Sequence, residues 1–319
     1  MQIIKSFFKL IFFVCPITAL AQSTYLYPDS KEYHFIDRLE IKQQKLTDIN
    51  FSGIKPYSRK FAVQEAQFID SALIGHKDSA GVFYPNNPED IPLSKMDEYN
   101  LQSLLMNSTE WVTGPKEDFM SKKPILKSFY KSKTNMLEVN VPDFFLVVNP
   151  MLQFRVGAES GSDETMFINT RGINVRGLIA KKVGFSSMIT ENQERGPLFF
   201  QNRIKEFRAV PGYGFYKNFK TTAVDYFDAR GYVTFNAAKY IDIQFGYDKN
   251  FIGDGYRSLF LSDWGNSYLF LKLNLKIWKI NYQNIFMEVM PQFIKNQGDI
   301  VLDRKYAAVH HLSMNVTKW

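Results

Sequence analysis

Two short segments carry the residue types with the clearest chemistry. VPGYGFYKNF holds Tyr213, Phe215 and Tyr216, and GDGYRSLFLSDWGNSYL, running from Gly253 to Leu269, holds Tyr256, Arg257, Asp263 and Trp264. Aromatic faces that cover C–H surfaces, set beside planar polar groups that bond hydroxyls, are the means by which proteins hold sugars. Tyr213, Tyr216, Tyr256 and Trp264 are therefore candidate polysaccharide-binding residues. The plainer reading is that such aromatics form an interfacial belt and that the glycines mark a bend.

Catalytic chemistry has much less to work with. His34, His76, His310 and His311 lack metal-ligand spacing, and adjacent His310 and His311 would face opposite sides of a strand. There is no GxSxG, HExxH or phosphate-loop signature. Asp225 and Asp228 form an acidic pair, but in a stretch that reads as a long loop they are expected to be solvated. The expectation is a non-enzyme with no metal and no cofactor.

The elements that must position these residues follow from composition and period. With 319 residues, 45% hydrophobic and 16% aromatic, the chain can build a large core. Lys5 and Lys9 precede an apolar run from Leu10 to Leu20, and Ala19-Leu20-Ala21 fits a cleavage site, so residues 1–21 read as a secretory signal peptide. Cys15, the one cysteine, lies inside it, so the mature chain would have neither a disulfide nor a thiol nucleophile. Losing Lys5 and Lys9 takes the formal charge from +7 to +5, a modest excess without a basic helix, which argues against nucleic acid. No later run approaches the roughly 18–20 apolar residues of a membrane-spanning helix. Any membrane crossing must use strands.

Residues 22–140 carry helix signals. Asp29 and Ser30 can cap a helix with Tyr33, Ile36 and Leu39 on one face, and Ser58 a second with Ala62, Ala66, Ile69 and Leu73. Ser94 with Asp97 resembles a capping box ahead of Leu101, Leu104 and Leu105. From Val141 onward the period is two. Ile173 and Val175, Val183 and Phe185, Val233 and Phe235, and Ile241 through Tyr247 alternate with polar neighbours. A turn at Lys276-Ile277 would align Leu269, Leu271, Leu273 and Leu275 with Trp278, Ile280, Tyr282 and Phe286, leaving Lys272, Asn274, Lys279, Asn281 and Gln283 opposite. About eight strands follow Pro150, joined alternately by tight turns near Lys181, Ala238 and Lys276 and by longer loops at 159–165, 193–229, 249–266 and 290–307. That alternation predicts an all-β antiparallel barrel of the outer membrane over residues 141–319, with a periplasmic helical region before it and the long loops outside. Gly253, Gly255, Arg257, Ser258 and Asp263 would fold the loop they share into the barrel mouth, with Arg257 forked onto Asp263.

DRLEIK (Asp37 to Lys42), KPYSRK (Lys55 to Lys60), FGYDKNFIGDGYRSLFLSDWGNSYLFLKL (Phe245 to Leu273) and IWKINYQNIF (Ile277 to Phe286) resemble the Wzi-like outer-membrane capsule assembly proteins, in the Bacteroidetes branch that includes the gliding-associated RemB type. The resemblance implies a large outer-membrane barrel with a periplasmic helical bundle and a loop-occluded lumen. It also implies a non-catalytic role in holding surface polysaccharide, with outer-membrane lipid and cell-surface motility or export machinery as partners. Such barrels need more strands than this chain supplies, so the chain reads as the N-terminal part of a longer protein. A transport pore, favoured by Arg155, Arg176, Lys272 and Lys279 on the polar face, and a component of surface motility or adhesion stay open as alternatives.

Overall fold

The structure is a computed structural model, and it describes residues 23–27, 30–43, 53–70, 76–77, 83–84, 93–253, 255–290, 304–314 and 316. The signal segment, Asp29, Leu73 and Trp319 lie outside the described residues.

Among the described residues three α-helices build the N-terminal part: α1 (Lys31–Gln43), α2 (Arg59–Phe68) and α3 (Lys95–Met106). Their apolar stripes meet in one core that includes Tyr33, Ile36, Leu39, Ala62, Ala66 and Leu101. The α3 capping box forms as its spacing predicts, Ser94 accepting from the Asp97 amide while the Asp97 carboxylate accepts from the Ser94 amide. Ser58 stands at the α2 N-cap, but its side chain makes no capping bond. Short strands β1 (Ile54–Lys55), β2 (His76–Lys77) and β3 (Phe83–Tyr84) lie between the helices in sequence.

The remainder is one antiparallel sheet of ten strands. It contains β4 (Leu137–Val141), β5 (Phe144–Gly157), β6 (Met166–Ile179), β7 (Val183–Arg195), β8 (Lys217–Phe219), β9 (Ala223–Ala238) and β10 (Ile241–Asp248). After β11 (Phe251–Ile252), which pairs with β1 instead, the sheet resumes with β12 (Tyr268–Ile277), β13 (Ile280–Val289) and β14 (Lys305–Met314). The order runs β14-β13-β12-β10-β9-β7-β6-β5-β4, with β8 on β9, and β14 and β4 are not paired with each other among the described residues. No helix among the described residues is long and apolar enough to cross a membrane.

Several boundaries differ from the sequence reading. The eight strands expected from Pro150 onward are present as β5 to β7, β9, β10 and β12 to β14, and the sheet adds the three-residue β8 and an earlier strand beginning at Leu137. The stretch 193–229 is not a single loop: β7 runs to Arg195, a helix α4 (Leu198–Phe207) follows, and β9 starts at Ala223. The last tight turn falls at Trp278-Lys279, because Ile277 pairs with Ile280. Moving the turn two residues along the chain preserves parity, so Leu271 still faces the same side as Phe286. Lys279 moves from the polar face into the turn.

The burial of the two sheet faces is inverted relative to a water-soluble sheet. On the apolar face Leu152, Phe227, Phe245 and Leu312 are exposed, whereas Asn174, Ser186, Thr234, Gln244, Lys272 and Gln283 on the polar face are buried. The helical part covers that polar face. Ser23 backbone lies over Gly184, the Tyr25 amide donates to the Tyr232 hydroxyl at 2.8 Å, and Tyr27 and Ser186 share a hydroxyl pair at 3.1 Å. Near the tight turns, Trp111 packs on Phe145, Val147 and Leu178, joining the helical core to the sheet.

Candidate functional site

The long connection between β10 and β12 is held against the helical part by β1 and β11. Ile54 pairs with Ile252 and Lys55 with Phe251, so a strand of the N-terminal region captures the root of the loop. Lys55 fixes this junction. Its ammonium lies 5.3–5.5 Å from the ring centres of Tyr33, Tyr57 and Phe251 and 3.5 Å from an Asp37 carboxylate oxygen. Cation–π contacts of this kind contribute about 0.5–1 kcal/mol each when partly exposed. Tyr57 donates to Asp37 at 2.9 Å, and burial together with the Asp37 charge holds its phenol protonated far above the usual range.

Three segments remote in sequence thus converge here: Asp37 from α1, Lys55 and Tyr57 from KPYSRK, and Phe251 from the long loop. Between them opens a cleft of about 230 Å³, lined by His34, Asp37, Lys55, Lys249, Tyr256 and Asp263 among others. The rings of His34 and Tyr256 are nearly parallel, at 9° and 6.3 Å between centroids. His34, Asp37 and Lys55 had not been singled out as site residues. Asp37 and Lys55 stand in the charged stretches DRLEIK and KPYSRK, whose local pattern carries no information about what they will face.

Beyond the cleft the loop is shaped by its own side chains. Gly253 adopts φ +142°, where a Cβ would lie 2.4 Å from Ser258 Oγ. That hydroxyl bonds the Ile252 carbonyl and accepts from the amides of Phe260 and Leu261 at 2.9 and 3.3 Å, so Ser258 closes the bend. Gly255 differs from expectation: its φ is outside the left-handed region, and it is needed for space, since a Cβ would meet the Arg257 carbonyl at 2.9 Å. Arg257 donates to Asp263 at 3.2 Å, and its guanidinium lies 4.8 Å from the Tyr256 ring centre and 4.9 Å from that of Trp264. Both aromatics remain exposed, Tyr256 at 75% and Trp264 at 55%.

The other aromatic segment meets this loop from across. Gly212, at φ +79°, leaves only 3.0 Å between a would-be Cβ and the Trp264 carbonyl, and Gly214 approaches Asn266 as closely. Tyr213 is partly exposed, its ring tilted 36° to that of Tyr226 at 4.9 Å between centroids and carrying Lys249 over it at 4.9 Å. Tyr216 has a different role, being packed against the cluster of Ile204, Val210, Val224 and Tyr226. The structure brings Tyr213, Tyr256 and Trp264 to one end of the sheet and leaves Tyr216 as support.

Three of the remaining charged candidates, Asp228, Arg176 and Lys272, are structural, while Arg155 and Lys279 are exposed. Asp228 is not solvated in a loop; it is buried on β9 and bonded to Arg230 at 2.6 Å. Arg176 is buried against Glu110, and Lys272 donates to Asn250 at 2.9 Å beneath the Tyr25 ring. Among the described residues there is no cluster of three or more potential metal ligands. No protein-family model, curated protein or solved structure matches this chain.

Proposed function

We propose that this chain forms the strands and internal helices of an outer-membrane barrel that binds or anchors surface polysaccharide at its long-loop end. The observation that carries the membrane part is the inverted sheet, in which exposed Leu, Ile, Val and Phe line one face while Asn, Gln, Ser, Thr and Lys of the other are buried under helices. In water an apolar face of this size would drive association. In a bilayer it is the surface that meets lipid, and short turns at one rim with long loops at the other complete the pattern.

The binding part rests on Tyr256 and Trp264, both exposed and both braced by Arg257 beside the cleft. The cleft lies below the roughly 300 Å³ at which pockets for drug-sized ligands begin, so it suits one sugar ring, with a longer chain passing over the aromatic rim. His34, Asp37, Lys55 and Asp263 offer charged and polar groups to its hydroxyls or carboxylates. This is the role that the Wzi-like resemblance implies. Cells lacking the gene should shed their surface polysaccharide into the medium, and normal retention would overturn the proposal. Purified chain in planar bilayers should be electrically silent, because helices cover the polar face.

A further inference from the structure

Three of the four tight turns carry lysines at successive positions along a single rim, and two of these pair the lysine with an aromatic ring. The β6–β7 turn presents Lys181 and Lys182, the β9–β10 turn Lys239 and Tyr240, and the β12–β13 turn Trp278 and Lys279. All six side chains are exposed. Lys239 lies 5.1 Å from the centre of the Tyr240 ring and Lys279 5.4 Å from that of Trp278. No carboxylate pairs with any of the four lysines among the described residues, and the one acid among the tight-turn residues is Asp143 of the β4–β5 turn.

Their height relative to the apolar face is fixed by the register. Ile179 pairs with Val183 and Ile277 with Ile280 as the last rungs before the turns, and Ile179, Ile277 and Ile280 are exposed on or beside the apolar band. The aromatic rings therefore sit at the border of that band and the ammonium groups just beyond it. Neighbouring hairpins are two strands apart, about 10 Å, so the lysines of each turn lie within roughly one Debye length of those on the next and form a continuous positive surface. Trp278 keeps φ +52°, a conformation unfavourable for a bulky residue, and holds its ring outward at 76% exposure.

We infer that this rim is a binding surface for the phosphate-bearing, net-negative head groups of the lipid leaflet facing the short turns. Tyr240 and Trp278 seat in the interfacial layer, and Lys181, Lys182, Lys239 and Lys279 bond head-group phosphates. The inference rests on the membrane reading above but concerns lipid selectivity, which that reading leaves open.

The test uses the full chain folded into phosphatidylcholine vesicles carrying trace spin-labelled phosphatidylglycerol or phosphatidylcholine, reading the fraction of motionally restricted lipid. Phosphatidylglycerol should associate about fivefold or more tightly, the worth of one lysine near an anionic surface. Replacing all four lysines (Lys181→Gln, Lys182→Gln, Lys239→Gln, Lys279→Gln) should abolish the preference, whereas Lys122→Gln with Lys123→Gln and Lys127→Gln should leave it. Inorganic phosphate should weaken it no more than chloride at matched ionic strength. Restricted lipid without any preference, a preference surviving the fourfold change, or specific displacement by free phosphate would each overturn the rim proposal while leaving the membrane reading standing. Complete absence of restricted lipid would overturn both.

Discussion

Arg176 of β6 and Glu110 of the turn after α3 face each other inside the protein through two contacts of 3.2 and 3.3 Å, with their side chains 5% and 3% exposed. Arg176 also donates to the Asn107 carbonyl at 2.7 Å, so one guanidinium fastens the helical part to the polar face of the sheet. Nearby Arg59 is likewise buried, and burial together with the positive charge of Arg176 lowers its pKa. Glu110 is thus the anion that makes this cluster tolerable. Glu110→Gln should destabilise docking by about 3–5 kcal/mol, because it leaves a buried cation without a counter-charge. Trp111, packed between the helical core and the sheet, reports on this by its fluorescence in urea. The double change Arg176→Met with Glu110→Leu should recover most of the loss. Unchanged midpoints in Glu110→Gln would show that apolar packing alone docks the helices.

Asp97 gives the helical part an acid-sensitive tie. Burial alone would raise its carboxyl, but hydrogen bonds from Lys42, Ser94 and Arg38 hold it well below the usual carboxylate range. A depressed carboxyl contributes stability above its unfolded value of about 3.9 and loses it as pH falls through the folded value. Amide exchange in α1 and α3 should therefore rise on acidification. In Asp97→Asn the neutral-pH stability should drop by about 1–2 kcal/mol, and that part of the acid dependence should vanish.

The exposed face can be tested at Val233. It lies mid-strand on β9, paired with Phe185 and Phe245, and is 45% exposed. On a lipid-facing surface Val233→Lys should cost roughly 2–4 kcal/mol of folding into vesicles. On a water-facing surface the same change stays within about 0.5 kcal/mol. The protease-resistant fraction after vesicle folding distinguishes the two, and a near-neutral result would count against a bilayer as the solvent of this face.

The long loop separates structure from binding. Gly253→Ala forces Ser258 away from the bend at a cost of about 1–3 kcal/mol, so exchange at the Phe260 and Leu261 amides should rise while β9 stays protected. Arg257→Ala removes the cation shared by Tyr256 and Trp264 and should raise small-solute permeability. Trp264→Ala should weaken polysaccharide binding about tenfold with the sheet intact, the worth of one aromatic platform. Equal permeability and equal binding in the last two variants would reduce the loop to a spacer.

Local pattern carried much of this architecture. Alternation at period two, helical spacing of Tyr33, Ile36 and Leu39, the Ser94–Asp97 box and the tight turns are all properties of neighbouring residues, and each appears in the structure. Parity also survived the misplaced Lys276-Ile277 turn, since a two-residue displacement of the turn cannot exchange the faces. What a period of two cannot state is which neighbour each face meets. That was decided by contacts between residues far apart in the chain: Tyr25 with Tyr232, separated by 207 positions, Arg176 with Glu110, separated by 66, and the pairing of Ile54 with Ile252. The same holds for the cleft, whose Asp37, Lys55 and Tyr256 sit on three unrelated local patterns. Helical and strand periods are fixed by backbone geometry within a few residues, whereas docking is chosen by the few buried charges and rings that find partners only once the chain has folded back on itself.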